Sequence, residues 1–243
     1  GIPKDLLEDC AIGVFAVTRE DVSLPRRASV SHKSDYGKLL VIGGSVGYTG
    51  APSICAQAAL RCGAGLISLG VPQRIYEITA IKNLESMPFP LPDAGGKLCD
   101  EAMEPILEKM KSSDAVVLGC GLGRSEALTR LVSEVLRQSR IPLVLDADGL
   151  FALSETLSSL REAVCPVVLT PHEVEFVRLG GVLTGDRQHD ARDFAMRHNC
   201  VLVLKGHRTV CAFPDGKTYI ICAGNPGMAQ GGSGDALAGC IGA

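Results

Sequence analysis

The chain has 243 residues, enough for one or two domains, with 46% hydrophobic and 21% charged residues and a formal net charge of -3. That apolar content supports a sizeable core and excludes disorder as the main state. The mild acidity, the short basic clusters at residues 25–27 and 109–111 in place of a basic stripe, and an aromatic content of 4% without tryptophan argue against a nucleic-acid binder.

Along the chain, residues 1–16 look detached from the remainder, and residues 18–36 are polar. From Lys38 the pattern becomes regular. Residues 38–43 read as a buried strand ending on Gly43 and Gly44, residues 51–62 as an alanine-rich helix able to pack closely, and residues 65–71 as a second strand. A helix is predicted over residues 100–111, with Asp100 as its N-cap and Glu101 and Glu104 in its first turns. Residues 114–118 come next as a strand. Apolar side chains at Leu128, Leu131, Val132, Val135 and Leu136 give residues 125–137 a helical period. Strands are expected over residues 142–146, 167–170 and 201–204, and helices from about Glu173 and over residues 186–198. Residues 209–213 and 218–222 flank Pro214, Asp215 and Gly216 as a hairpin, and a last helix starts near Ser233. Strands alternating with helices, several of them continuous apolar runs, predict an α/β fold. Its parallel sheet is covered on both faces and extended at one edge by the hairpin.

No apolar run reaches the roughly 18 residues that span a bilayer, and Pro3, Lys4, Asp5 and Glu8 do not suit a signal peptide. The ten cysteines include no C-x-x-C, and Cys55, Cys62, Cys165, Cys200, Cys211 and Cys222 lie in apolar segments. They read as buried free thiols of a reducing cytoplasm rather than disulfides or zinc ligands.

In a parallel sheet, ligands bind beyond the carboxyl ends of the strands. The segments there are rich in chemistry: Gly43 and Gly44; Gly119, Gly121 and Gly123; Asp146 and Asp148; His172; and Lys205 with Gly206. The strongest signal is Gly231-Gly232-Ser233-Gly234-Asp235 at the start of the last helix. Glycines admit close backbone approach, and the helix aims its amides and positive dipole end at an anion. A capping aspartate after a glycine-rich turn is the plain alternative for Asp235. The Gly119 loop has G-x-G-x-G spacing, which weakens a dinucleotide fingerprint, and no P-loop is present. Lys205 suits a phosphate or is a solvated loop lysine. Asp146 and Asp148 suit Mg²⁺ with phosphates, or helix capping in the case of Asp148. No histidine pair has the helical spacing of a zinc site, so no transition metal is expected.

Two long segments carry a resemblance. One is residues 31–45 with Gly47, Tyr48, Thr49, Gly50 and Ala51; the other is residues 225–239, from Asn225 through Asp235 to Gly239. They resemble the two signatures of the NAD(P)H-hydrate dehydratase domain, with the Gly119, Asp146, His172 and Lys205 segments in the expected order between them. The resemblance covers roughly residue 18 to the end. It implies a ribokinase-like, three-layer fold and repair of the 6-hydroxy hydrates (S epimer) of NADH and NADPH. A nucleotide, ADP in bacterial members or ATP in eukaryotic ones, phosphorylates the hydroxyl with Mg²⁺, and phosphate is then eliminated. By the same resemblance Asp235 is the catalytic base, and Gly232, Ser233 and Gly234 form the anion hole. Ala51, Gly123 and His172 line the hydrated cofactor together with Asp235. Lys205, Gly206, His207, Arg208, Thr209 and Gly234 hold the nucleotide. Phosphoryl transfer needs positioning and charge stabilisation, which amides, a lysine and a carboxylate supply.

Three positions depart from the family pattern: Cys120 and Glu173 stand where proline is usual, and Ser233 where threonine is. Residues 1–3 and 6–8 resemble the end of an epimerase domain. The expectation is therefore a tail or linker over residues 1–16 and a dehydratase domain, C-terminally incomplete, over residues 17–243. A cytoplasmic homo-oligomer, up to a tetramer, is expected. The competing readings are a small-molecule kinase of the same fold, acting on a vitamin precursor, and a catalytically silent nucleotide-binding module.

Overall fold

The computed structural model describes residue 3, residues 12–24 and residues 26–243. In chain order the elements are β1 (Val14–Val17), β2 (Lys38–Ile42), α1 (Ala51–Cys62), β3 (Leu66–Pro72), α2 (Tyr76–Lys82) and β4 (Met87–Leu91). A small hairpin of β5 (Asp93–Ala94) and β6 (Lys97–Leu98) precedes α3 (Met103–Met110), β7 (Ala115–Leu118), α4 (Glu126–Gln138), β8 (Leu143–Leu145) and α5 (Asp148–Glu155). Then come β9 (Val167–Leu169), α6 (Glu173–Arg178), α7 (Arg187–His198), β10 (Val201–Leu204), β11 (Val210–Ala212), β12 (Thr218–Ile221) and α8 (Ser233–Gly242).

Among the described residues, ten strands form one sheet in the order β1-β12-β11-β10-β9-β8-β7-β2-β3-β4. Seven neighbours from β10 to β4 run parallel, and β11 is antiparallel to both β10 and β12. The sequence of β2 explains the layering. Successive strand side chains point to opposite faces. Leu40 and Ile42 join the core beneath α3, α4, α5, α6 and α7, while Leu39 and Val41 join the core beneath α1 and α8. A strand buried on both faces must be apolar at every position, and residues 39–42 are at most 3% exposed.

Local signals fix the helix ends. Ser125 caps α4 by accepting the Leu128 amide at 3.1 Å, and the five periodic apolar residues of that helix are all buried. Asp186 caps α7 through the His189 amide at 3.0 Å, and left-handed Asn199 ends that helix. At the outer edge of the sheet, β4 carries Pro88 and Pro90. The ladder to β3 must draw its donors from non-proline residues, so the two proline nitrogens face outward.

Some expectations differ from the fold. Asp100 caps no helix: a 3-10 turn occupies Asp100–Ala102, α3 begins at Met103, and the Asp100 carboxylate takes Nε and Nη2 of Arg130 at 2.8 Å each. The boundary drawn between residues 16 and 17 falls inside β1, which pairs parallel with β12 outside the hairpin. The period-based reading missed β1, α2, β4, β5 and β6, and offered α5 only as the helix that Asp148 would cap. Cys62 and Cys222 are exposed, whereas Cys55, Cys120 and Cys200 are buried. The epimerase-like residues 1, 2 and 6–8 lie outside the described residues.

Candidate active site

The carboxyl ends of β2, β7, β8, β9 and β10 converge with the N-termini of α1 and α8. Gly119, at φ +138°, lets the loop after β7 cross the loop after β8: a Cβ there would lie 1.8 Å from the Asp146 carbonyl oxygen. The loop of residues 119–123 is pinned along its length. The Gly44 amide donates to the Cys120 carbonyl (2.8 Å), the Ser45 hydroxyl to the Gly121 carbonyl (2.8 Å), and the Gly123 amide to Oδ2 of Asp148 (2.8 Å). Between the two aspartates, Ala147 holds φ 48° and ψ -115°, a conformation costly for a residue with a Cβ.

Asp146 is 2% exposed. Its Oδ1 accepts from Thr170 Oγ1 at 2.6 Å and from Lys205 Nζ at 2.9 Å. Lys205 also reaches Glu175 Oε2 at 3.7 Å. Lys205 is therefore a largely buried, paired cation and not the solvated loop lysine. Glu175 accepts the His172 amide at 2.8 Å, while His172 Nδ1 accepts the amides of Val174 (3.2 Å) and Glu175 (3.3 Å). His172 thus spends one ring nitrogen capping α6, on the rim of the site.

Helix α8 starts at this cluster. Gly232 precedes it at φ +90°, and the first turn leaves the Gly234 and Asp235 amides without intrahelical acceptors. A Cβ on Gly234 would meet Lys205 Nζ at 3.6 Å and Asp146 Oδ2 at 3.8 Å. The Ser233 hydroxyl donates to the Met228 carbonyl at 2.7 Å, tying the cradle to the preceding turn. Asp235 is half-buried, and burial raises its carboxyl above the ordinary range. The Cys120 thiol beside it and Lys205 pull it back, while Asp146 and Asp148 push it further up. Cys120 Sγ and carboxylate oxygens of Asp146 and Asp235 all lie within 4.8 Å of one another.

Gly232, Ser233, Gly234, Asp235 and Lys205 are therefore brought together, with Asp146 as an anchor. Ala51 opens α1 beside Gly121, whose Cβ would lie 3.0 Å from that of Ala51. Gly123 faces the Lys97 side chain and Ser45. Gly206, His207, Arg208 and Thr209 form a turn after β10. Arg187 clamps this turn, donating to the carbonyls of His207 (2.9 Å), Lys205 (3.1 Å) and Leu204 (3.3 Å). A cavity of about 720 Å³ lies alongside, lined in part by Asp186, Arg187, His207 and Arg208. Asp146 and Asp148, the pair suited to Mg²⁺ in the sequence, each have one carboxylate oxygen engaged: Oδ1 of Asp146 by Lys205 and Thr170, and Oδ2 of Asp148 by the Gly123 amide, with Arg124 4.0 Å from its Oδ1.

Sequence reasoning missed Arg187, Thr170, Glu175 and Cys120 as parts of the site. Glu175 had a signal, standing three residues after the cap. Arg187 had none, because its partners are backbone carbonyls distant in sequence.

The profile of the NAD(P)H-hydrate dehydratase family matches residues 39–243. A bifunctional NAD(P)H-hydrate repair enzyme of Moorella thermoacetica is 44% identical over 223 residues, which are 90% of this chain and 42% of that protein. Among solved structures, a ribokinase-like superfamily protein of Enterococcus faecalis superposes with a TM-score of 0.81 at 27% identity, covering 95% of this chain and 79% of that one. An ADP/ATP-dependent NAD(P)H-hydrate dehydratase of Bacillus subtilis, co-crystallised with ATP/Mg²⁺, gives a TM-score of 0.77 at 31% identity, covering 96% and 81%. The fold is ribokinase-like, and the chain spans under half the length of the bifunctional curated relatives it matches.

Proposed function

The chain belongs to the NAD(P)H-hydrate dehydratase family, and from that membership we propose that it dehydrates the 6-hydroxy hydrates (S epimer) of NADH and NADPH at the expense of ADP or ATP. The observation that carries the reading is Asp235. This half-buried carboxylate stands in the first turn of α8, facing the Lys205–Asp146 pair.

In this reading Asp235 takes the proton of the substrate hydroxyl as its oxygen attacks the terminal phosphoryl group. A carboxylate raised by burial is a better proton acceptor than a fully solvated one. The amides of Gly232 and Gly234, joined by that of Asp235, receive charge on the transferred group, while the Ser233 amide turns to the Gln230 carbonyl at 3.4 Å, and the bare glycines let the group approach. Lys205, held by Asp146, offers a cation whose position costs no reorganisation. The turn of Gly206, His207, Arg208 and Thr209, rigidified by Arg187, follows the nucleotide phosphates. Ala51, Gly123 and His172 flank the hydrated nicotinamide. The C–O bond to the phosphate then breaks, inorganic phosphate leaves, and the neighbouring ring carbon gives up a proton to water, which restores the ring double bond. Mg²⁺ would be held by nucleotide phosphates and water, a coordination it favours, and no carboxylate of this chain is assigned to it.

The Bacillus protein's adenine-nucleotide dependence supports the co-substrate, and the bifunctional relatives support fusion to an epimerase domain in the whole protein. A homo-oligomer in the cytoplasm is the accompanying proposal, tested by light scattering. The deciding assay incubates hydrated NADH with ADP or ATP and Mg²⁺ and follows recovery of NADH absorbance. A stable phosphorylated product without recovery would instead indicate a kinase, and nucleotide binding without turnover a silent module.

A further inference from the structure

Cys120 lies just after β7, wholly buried, in a pinned loop: its carbonyl accepts the Gly44 amide, and the preceding Gly119 is wedged against Asp146. Its thiol is packed between Cys55 of α1 and the carboxylates of Asp146 and Asp235. Asp146 is already served by Lys205 and Thr170. Both of those bonds fall on Oδ1 of Asp146, whereas the Asp235 carboxylate, within 4.8 Å of the thiol, accepts no side-chain or backbone hydrogen bond among the described residues; it is the acceptor in need of a donor, and a better one than the Cys55 sulfur. Resting-state hydrogen bonds of catalytic groups are often long and tighten when substrate binds.

We propose that Cys120 is a positioning residue for the reaction: its S–H donates to the Asp235 carboxylate and orients the other carboxylate oxygen toward the substrate hydroxyl. The proposal rests on the reading of Asp235 as the base. Cys120 keeps its own proton throughout, and the substrate proton goes to Asp235 alone. Contact with Cys55, burial and the two carboxylates together push the Cys120 thiol well above its ordinary range, so it stays a donor at working pH. The groups facing Asp235 are Cys120 after β7, Asp146 after β8, Asp148 of α5 and Lys205 after β10. Of these, Cys120 combines a fixed position, an S–H available to donate and no net charge. Its removal therefore changes the carboxylate's orientation and basicity without removing an ion from the site.

The experiment compares the parent with Cys120→Ala, Cys120→Ser and the near-isosteric Cys120→Val. The Asp235 carboxyl is titrated by carbon-13 NMR, with its resonance assigned by Asp235→Asn. The pH profile of kcat/KM on hydrated NADH is recorded on the same samples. In Cys120→Ala and Cys120→Val, the Asp235 midpoint and the acid limb of the profile rise together by about half to one pH unit. Cys120→Ser, which keeps a donor, restores the parental midpoint. An Asp235 midpoint in both donor-less variants equal to the parent's overturns the proposal. Because a midpoint is read from folded protein alone, partial unfolding does not imitate the shift. If the parent fails to act on hydrated NADH, the functional reading falls, while the NMR titration still decides whether the thiol serves Asp235.

Discussion

Two glycine-rich loops meet at the candidate site, and they need their glycines for different reasons. In residues 119–123 every glycine is claimed by packing. A Cβ at Gly119 would overlap the Asp146 carbonyl, one at Gly121 would crowd Tyr48 and Ala51, and one at Gly123 would press on Lys97. In residues 231–234 packing claims almost nothing. A Cβ at Gly231 meets open space, one at Gly232 meets only the end of the Ile54 side chain, and one at Gly234 makes ordinary contact with Lys205. Gly231 and Gly234, kept where neither packing nor a left-handed φ requires glycine, leave backbone amides bare for something outside the chain, whereas Gly232 also serves its φ of +90°. The first loop is a fixed wall and the second is the working surface.

Asp235→Asn probes the working surface most severely. Turnover of hydrated NADH is expected to fall about a hundred- to ten-thousand-fold, with nucleotide affinity measured by calorimetry largely kept. Burial raises the Asp235 carboxyl in the folded state above its unfolded value. Its contribution to stability is therefore present below the unfolded value and lost as pH rises through the folded one. At neutral pH the charge works against folding, so the variant should melt no lower than the parent, with the difference vanishing as pH falls through the carboxylate range. Near-parental turnover would remove Asp235 from the reaction.

Gly232→Val is expected to lower turnover about a hundred- to thousand-fold by blocking the amides. At φ +90° it also strains the backbone by roughly 1–3 kcal/mol, so a melting curve must accompany it. Gly234→Ala separates the two effects: the site has room for the methyl, so stability holds while nucleotide-dependent turnover drops. Parental rates in both variants would make the cradle a mere turn.

Gly119→Ala should do the reverse, costing about 3 kcal/mol or more in urea unfolding through overlap and strain. Gly231→Ala should change stability by no more than about 0.5 kcal/mol. If the two variants unfolded alike, the contrast between the loops would collapse. A small effect of opposite sign is expected from Ala147→Gly. Relief of the strained φ offsets the entropy of an added glycine, for a gain of about 1 kcal/mol or less in unfolding free energy.

Much of the fold was legible because its strands are short apolar runs between glycines. Residues 38–42 and 201–204 could hardly be anything else, and the α4 stripe from Leu128 to Leu136 is unambiguous. Missing were elements without a period. β4 hides behind two prolines, and α5 follows Asp146 so closely that only the capping role open to Asp148 hinted at it. At the site, strand ends pointed to Asp146, Lys205 and Asp235 because topology alone gathers them. That Lys205 binds Asp146 across 59 positions, that Arg187 clamps a turn through carbonyls, and that Cys120 lies against Asp235 are facts of three-dimensional packing. No local pattern encodes them. Asp100 misled because an acidic residue before a helix suits both a cap and a partner for Arg130.

The outward-facing Pro88 and Pro90 on β4 bear on how the molecule behaves in a crowd. An open strand edge is a template on which another chain can build, and partly unfolded copies find such templates readily. Here the last rung on that side has no N–H to offer at alternate positions, so an incoming strand would forfeit half the ladder it came for. Sheet growth is thereby discouraged beside Gly70, where a core threaded by Phe89 and Leu91 leaves no space for a larger residue. Replacing both prolines with valine would leave the site untouched and turn a quiet border into an adhesive one.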